Sequence, residues 1–354
     1  MAGSSLLNSR RAFSEKIDNS KWYMPDEAEP HKRTWMAFGA GEKIWGRRLL
    51  PEVRRNLASI ARSISRFEPV SMLVGKSEYD LLRKLVGSSV ELIVSPLDDL
   101  WMRDTGPVFV LDGMGNKAGI NFNFNGWGEK QSYSRDVEVA PMVARQAGVE
   151  TINTDLVLEG GSIEVDGQGT AIITESCVLN RNRNPGVGKA RFEDELMELL
   201  GLEKIIWLPG IKGRDITDGH TDFYARFAHP GVVLAGYDPD PASFDHEVTK
   251  RHLEILRKER DARGRPLEVM VLEGPTKIRE RYLTDDFAAG YVGFYVCNGA
   301  VIMQVFGDKE ADLAAKRTVQ EAFPDREVVQ IAIDGIAAGG GSIHCTTQQE
   351  PLSV

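Results

Sequence analysis

A strand, helix, strand order recurs along this 354-residue chain in steps of roughly 60 residues, and that recurrence constrains the fold more than any other feature. Residues 34–38 read as a buried strand. Pro51 is placed to open a helix, along which Val53, Leu57, Ile60, Ala61, Ile64 and Phe67 form one apolar stripe before a strand at 70–74. A short helix at 79–85 and a strand at 90–94 complete the first unit. The second has strands at 108–111, 120–124 and 150–153, with a helix at 136–147. The third runs strand 170–174, helix 192–200, strand 204–208. The fourth repeats this at 231–236, 243–262 and 267–272, and the fifth at 300–306, 309–323 and 327–333. The units share a pattern of elements rather than residues. Five such units suit either a doubly wound sheet or a closed, pseudo-symmetric propeller. No GxGxxG follows the first strand, which counts against a dinucleotide fold. No Pro/Ser-rich linker divides the chain, so the expectation is a flexible tail over residues 1–22 and one domain over 23–354.

Composition is that of an ordinary soluble protein, and a net charge of −9 argues against nucleic acid while suiting a cationic small substrate. No run of 18 apolar residues is present, so no membrane span is expected. Arg10-Arg11 resembles the front of an export signal, but the polar stretch that follows lacks its apolar core. Cys177, Cys297 and Cys345 are far apart, with no metal-ligand spacing, which predicts free thiols, no metal and a cytoplasmic location. Oligomeric state is open, a homo-oligomer included.

Chemistry-bearing residues collect at the junctions between units. They are Trp101 to Pro107 with Asp104, Glu159-Gly160-Gly161, Asp218-Gly219-His220-Thr221-Asp222, and Gly339-Gly340-Gly341-Ser342-Ile343-His344-Cys345. Three glycines in a row belong where the main chain turns sharply or passes close to another group. A cysteine nucleophile needs a base, and among six histidines His220 is the candidate. His246 and His252 read as exposed on a charged helix, His229 sits in a turn, and His344 points away from Cys345 if the segment is extended. His31 stays open. His220 and Asp222, two apart on a strand, would share a face. Taken singly, Asp104 could be a turn residue or a partner for Arg103, and Glu159 a turn residue. Together, two acids beside a Cys/His pair suit a planar cation such as a guanidinium, whose N–H fork matches paired carboxylates.

These motifs, with Met24-Pro25-Asp26-Glu27-Ala28-Glu29-Pro30-His31 and the run Gly339 to Pro351, strongly resemble the agmatine deiminase and bacterial-type peptidylarginine deiminase family. The resemblance covers the chain from about residue 23 onward. It implies an α+β fold, a five-bladed α/β-propeller (pentein) of β-β-α-β units. It also implies Cys345 as nucleophile, His220 as general acid/base oriented by Glu159, and Asp104 and Asp222 as guanidinium ligands, with Trp101 and Gly340 lining the substrate. The implied reaction is hydrolytic deimination through a Cys thiouronium intermediate, agmatine giving N-carbamoylputrescine and ammonia, with no cofactor or metal. Action on arginine in a peptide is the alternative, then amidino transfer, then a non-catalytic binding protein on the same scaffold. Two departures stand out: Ser342 replaces the usual Asn, and Gly39 to Trp45 lacks the family's Trp-Pro.

Overall fold

A computed structural model describes residues 22–353; apart from Trp22, the tail expected over 1–22, with its Arg10-Arg11 pair, lies outside the described residues, as does Val354. The strands form five separate small sheets. Four share one construction. In the second sheet β4 (Val108–Leu111) runs antiparallel to β5 (Lys117–Asn121), which runs parallel to β6 (Glu150–Asn153) after the helix Val139–Ala147. The same antiparallel-then-parallel order joins β7 (Ile163–Val165), β8 (Thr170–Thr174) and β9 (Lys204–Leu208). It recurs in β10 (Ala225–His229), β11 (Val232–Tyr237) and β12 (Glu268–Glu273). It recurs again in β13 (Tyr295–Cys297), β14 (Ala300–Val305) and β15 (Glu327–Ala332).

The first sheet is closed by the end of the chain. β1 (His31–Phe38) runs parallel to β2 (Val70–Val74), which is followed in the sheet by β3 (Val90–Val94). On its other side β1 pairs antiparallel with β16 (Thr347–Pro351), Trp35 opposite Gln348 and Met36 opposite Thr347. The two ends of the described chain are thereby held in one sheet. The expected strands and helices are present, with shifts of a few residues. The 120–124 strand lies at 117–121, and the 243–262 helix is shorter, His246–Leu256. Pro51 does not open its helix, which runs from Glu42 to Ile64 and bends at Gly46, where φ is +62°.

The apolar stripe does as its spacing predicts. Val53, Leu57, Ile60, Ala61 and Ile64 are buried against Met36, Phe38, Val70 and Met72 of the first sheet and Ile302 of the fifth. Each fully buried Leu or Ile contributes roughly 1.5–3 kcal/mol. Val70–Val74 is buried at every position, the pattern of a strand covered on both faces.

The first strands of the sheets position the site. A single helical turn precedes four of the five: Met102–Thr105 before β4, Gly160–Ser162 before β7, Thr221–Phe223 before β10 and His344–Thr346 before β16. The fifth, β13, follows Gly293, whose carbonyl accepts the His344 backbone N–H at 3.0 Å.

Candidate active site

Asp104, Glu159, His220, Asp222 and Cys345 sit on or beside those four turns and meet in one buried cluster, none more than 6 % exposed. His220 Nε2 lies 3.1 Å from Glu159 Oε2. Its Nδ1 faces Asp104 Oδ1 at 3.8 Å and Asp222 Oδ1 at 3.9 Å. Cys345 Sγ lies 3.8 Å from Asp222 Oδ2 and 3.3 Å from Ser342 Oγ. His220 Nδ1 and Asp222 Oδ1 are both buried without a hydrogen-bond partner. Such groups are costly unless a ligand completes them.

Their close approach to the main chain at residue 161 requires glycine there. A Cβ there would come 2.6 Å from His220 Nδ1 and 3.0 Å from both Asp104 Oδ1 and Asp222 Oδ2. The main chain helps as well, since the Gly161 N–H donates to Asp104 Oδ1 at 3.3 Å. The run Gly339-Gly340-Gly341 answers to two tryptophans. A Cβ on Gly339 would strike the Trp45 ring at 2.3 Å, one on Gly341 the Trp101 ring at 2.1 Å, and Gly340 between them has φ +83°. Asp99 holds both rings, accepting from Trp45 Nε1 at 2.8 Å and Trp101 Nε1 at 3.0 Å. Trp101 is thus a fixed wall behind the cysteine loop, 7 % exposed.

Electrostatics divide the titratable groups. Burial pushes the Asp104 carboxyl up to about 6; His220 draws it down, while Glu159 and Asp222 push it further up. Burial opposes ionisation of Asp222 too, but His344, His220 and Arg226 win and hold it below the usual range. Glu159 is likewise lowered against its burial, first by Arg183 and then by His220. His220 is raised well above the usual histidine range, since Asp104, Cys177 and Glu159 outweigh its burial. Burial, then Asp222 and Asp104, push the Cys345 thiol well above its ordinary value, with the Ser342 hydroxyl pulling the other way. These shifts favour the protonated form of both His220 and Cys345.

The surroundings of these five residues depart from expectation at several points. His344 does not point away. It is on a 3-10 turn rather than a strand, and its ring bridges two acids, Nδ1 2.7 Å from Asp222 Oδ2 and Nε2 2.8 Å from Glu27 Oε2. His220 and Asp222 do share the site, but through the turn Thr221–Phe223 and not through strand alternation. Arg103 is no partner for Asp104; it donates to Glu27 Oε2 at 3.1 Å and Gln349 Oε1 at 2.8 Å. His252 is buried rather than exposed, accepting the Gly210 N–H at 3.2 Å, and burial lowers it to about 4. His31 is outside the cluster, its nitrogens taken by Glu68 at 3.1 Å and the Glu27 carbonyl at 2.8 Å.

Two residues the sequence did not single out hold the cluster. Arg183 Nε donates to both Glu159 oxygens, at 2.9 and 3.0 Å, and its Nη1 to Asp218 at 2.9 Å. Trp127 Nε1 donates to Asp104 Oδ2 at 2.9 Å from a turn in which Gly126, Trp127 and Gly128 all have positive φ. The dense polar run Asn180-Arg181-Asn182-Arg183-Asn184 and the Asn125-Gly126-Trp127-Gly128 turn were the available signals.

The chain is similar to known proteins over nearly its whole described length. A relative from Streptomyces coelicolor is 43 % identical over 336 residues, 93 % of this chain and 98 % of its own. The agmatine deiminase of Pseudomonas aeruginosa is 37 % identical over 353 residues, covering 93 % and 95 % of the two chains. The structure of the Enterococcus faecalis agmatine deiminase superposes with a TM-score of 0.90 at 33 % identity, covering 94 % and 97 %. No helix among the described residues is long and apolar enough to cross a membrane. The model of the Porphyromonas-type peptidyl-arginine deiminase family matches residues 23–351, and the chain belongs to that family.

Proposed function

We propose that this protein is a cytoplasmic agmatine deiminase, hydrolysing agmatine to N-carbamoylputrescine and ammonia. The observation that carries the reading is the convergence of Asp104 Oδ1, Asp222 Oδ1 and the unpartnered Nδ1 of His220, with the Cys345 sulfur 3.8 Å from Asp222 Oδ2. A guanidinium is planar and carries a fork of N–H donors, which two converging carboxylates accept. The relatives named as agmatine deiminases support agmatine as the substrate. On this reading the five sheets are blades of a pseudo-fivefold propeller in a single domain from residue 23 onward, with the turns before their first strands at its centre.

The guanidinium enters between Asp104 and Asp222 and adds a second positive charge to that of His220. That charge offsets the effect of the two acids on Cys345, so the thiol gives its proton to solvent as the substrate arrives. The thiolate attacks the guanidinium carbon. His220, a cation held by Glu159, gives its Nδ1 proton to the departing amine, and ammonia leaves a thiouronium on Cys345. The neutral imidazole then takes a proton from water, the resulting hydroxide adds to the same carbon, and the C–S bond breaks as the hydroxyl proton passes to the Cys345 sulfur, which releases the ureido product and restores the thiol. Ser342 donates to the sulfur while it carries charge. Gly340 and Trp101 line the way past Cys345.

A panel of guanidino compounds, scored by product mass and ammonia, tests the substrate. Agmatine is expected to turn over at least tenfold more efficiently than an arginyl peptide. A preference for the peptide, or a product carrying a transferred amidino group, would contradict the reading.

A further inference from the structure

Cys177 is the thiol that deimination leaves unused. It lies on the helical turn Glu175–Val178, fully buried, with Sγ 3.7 Å from Glu159 Oε2. The same oxygen is 3.1 Å from His220 Nε2. Glu159, Cys177 and His220 each offer one ligating atom, and the three lie within 4.8 Å of one another, the one group of three His, Cys or acidic side chains among the described residues that does so. Cys345 belongs to no such group. A thiolate, an imidazole and a carboxylate are the ligand types zinc takes. With bonds of about 2.0 Å to N and O and about 2.3 Å to S, a tetrahedral ion sets its N···O and S···O edges at roughly 3.3 and 3.5 Å. Two of the three spacings observed here, 3.1 and 3.7 Å, lie within about 0.2 Å of those edges, and the third, S···N, is under 4.8 Å.

We propose that Glu159, Cys177 and His220 form an inhibitory site for a thiophilic divalent cation, zinc in particular, on the Nε2 side of the catalytic imidazole. The ion replaces the thiol proton of Cys177 and the proton between His220 Nε2 and Glu159, and both protons pass to solvent, so binding strengthens as pH rises. Arg183 stays paired with Glu159, and the Cys177 thiolate with the nearby Asp104 and Asp222 balances the charge of the ion. With the metal on Nε2, the remaining ring proton is fixed on Nδ1. The ring can then no longer accept a proton there from the attacking water, and turnover stops. The ligand set holds whether or not the deiminase reading does; only the inhibition rests on that reading.

Titration with Co2+, which reports a cysteine ligand as a sulfur-to-metal absorption band, separates the two. Wild type and Cys345→Ala are expected to develop the band with one equivalent, and Cys177→Ser is expected to lack it. Zn2+ is expected to inhibit Cys177→Ser at concentrations at least tenfold above those for wild type, each measured against its own metal-free rate. No band in wild type, a band that survives in Cys177→Ser, or one lost in Cys345→Ala overturns the proposal. Equal zinc sensitivity of wild type and Cys177→Ser overturns it as well. If Cys177→Ser does not fold, as judged by circular dichroism, Cys177→Ala takes its place, and the wild-type and Cys345→Ala spectra remain decisive.

Discussion

His344 Nδ1 sits 2.7 Å from Asp222 Oδ2, the same oxygen that the Cys345 sulfur approaches at 3.8 Å, so one imidazole fixes the acid that stands beside the thiol. The ring's other nitrogen reaches Glu27, which is anchored in turn by Arg103 and Arg226 at 3.1 and 2.8 Å. Asp222 is thereby held with Oδ1 left for a ligand. A buried hydrogen bond to a charged group contributes about 1.5–3 kcal/mol. His344→Asn is therefore expected to lower kcat/KM for agmatine by roughly 10- to 100-fold. Steady-state kinetics beside a thermal melt check it, and an unchanged kcat/KM in a folded variant counts against the role.

Gly161 gives a steric prediction. Its backbone does not lie in the left-handed region, so alanine is not strained there, yet the added methyl enters the space between His220, Asp104 and Asp222. Gly161→Ala is expected to fold with a Tm lowered by several degrees, because the buried His220 ring must give way, and to lose about two orders of magnitude or more in kcat/KM, since small misplacements at reacting groups carry penalties of that size. Kinetics and melting on one preparation are the check.

The elevated Asp104 carboxyl predicts opposite effects on stability and activity. Its folded pKa, about 6, lies above the ordinary value of 3.8, so ionising it costs folding free energy. That penalty is absent below pH ~4, grows between pH ~4 and ~6, and is complete above. The shift corresponds to ~3 kcal/mol, and Asp104→Asn recovers less because the amide keeps only one acceptor oxygen for Trp127 and Gly161. At pH 7.5 the variant is expected to be more stable by on the order of 1–2 kcal/mol and nearly inactive, with the stability gain gone at pH 4. Chemical denaturation at both pH values measures it. For wild type, kcat/KM should fall as pH drops below about 6, when Asp104 takes up a proton and grips the guanidinium less well.

Ser342 provides a fourth test. Its hydroxyl, 3.3 Å from Cys345 Sγ, favours the charged sulfur. Ser342→Ala removes one hydrogen bond to that charge and is expected to lower kcat/KM by roughly 3- to 30-fold, with the rise of activity with pH moved upward. An unchanged pH profile would show that the hydroxyl does not act on the thiol.

Much of the scaffold was legible because its parallel strands and helices carry apolar patterns, as Val70–Val74 and the Val53 to Ile64 stripe show. The first strands were mostly missed. The run Thr347 to Glu350 is polar and still buried, because its side chains find partners in its own sheet and in the next: Glu350 accepts from Trp35 Nε1 of the first sheet at 2.9 Å and from Lys117 Nζ of the second at 2.6 Å. Hydrophobic periodicity has no means of detecting such a strand. The five principal site residues stood out through their glycine-rich turns. His344, Arg183 and Trp127 did not, because their roles come from partners at least 23 positions away in sequence. Strand alternation also misplaced His344, whose segment closes into a 3-10 turn.

The account depends most on a bond forming between Cys345 and the guanidinium carbon. Ammonia release from agmatine by purified Cys345→Ala, set against wild type, tests it most directly. Removing a covalent nucleophile is expected to lower the rate by roughly 10⁴-fold or more. Equal rates in the two proteins would contradict the account.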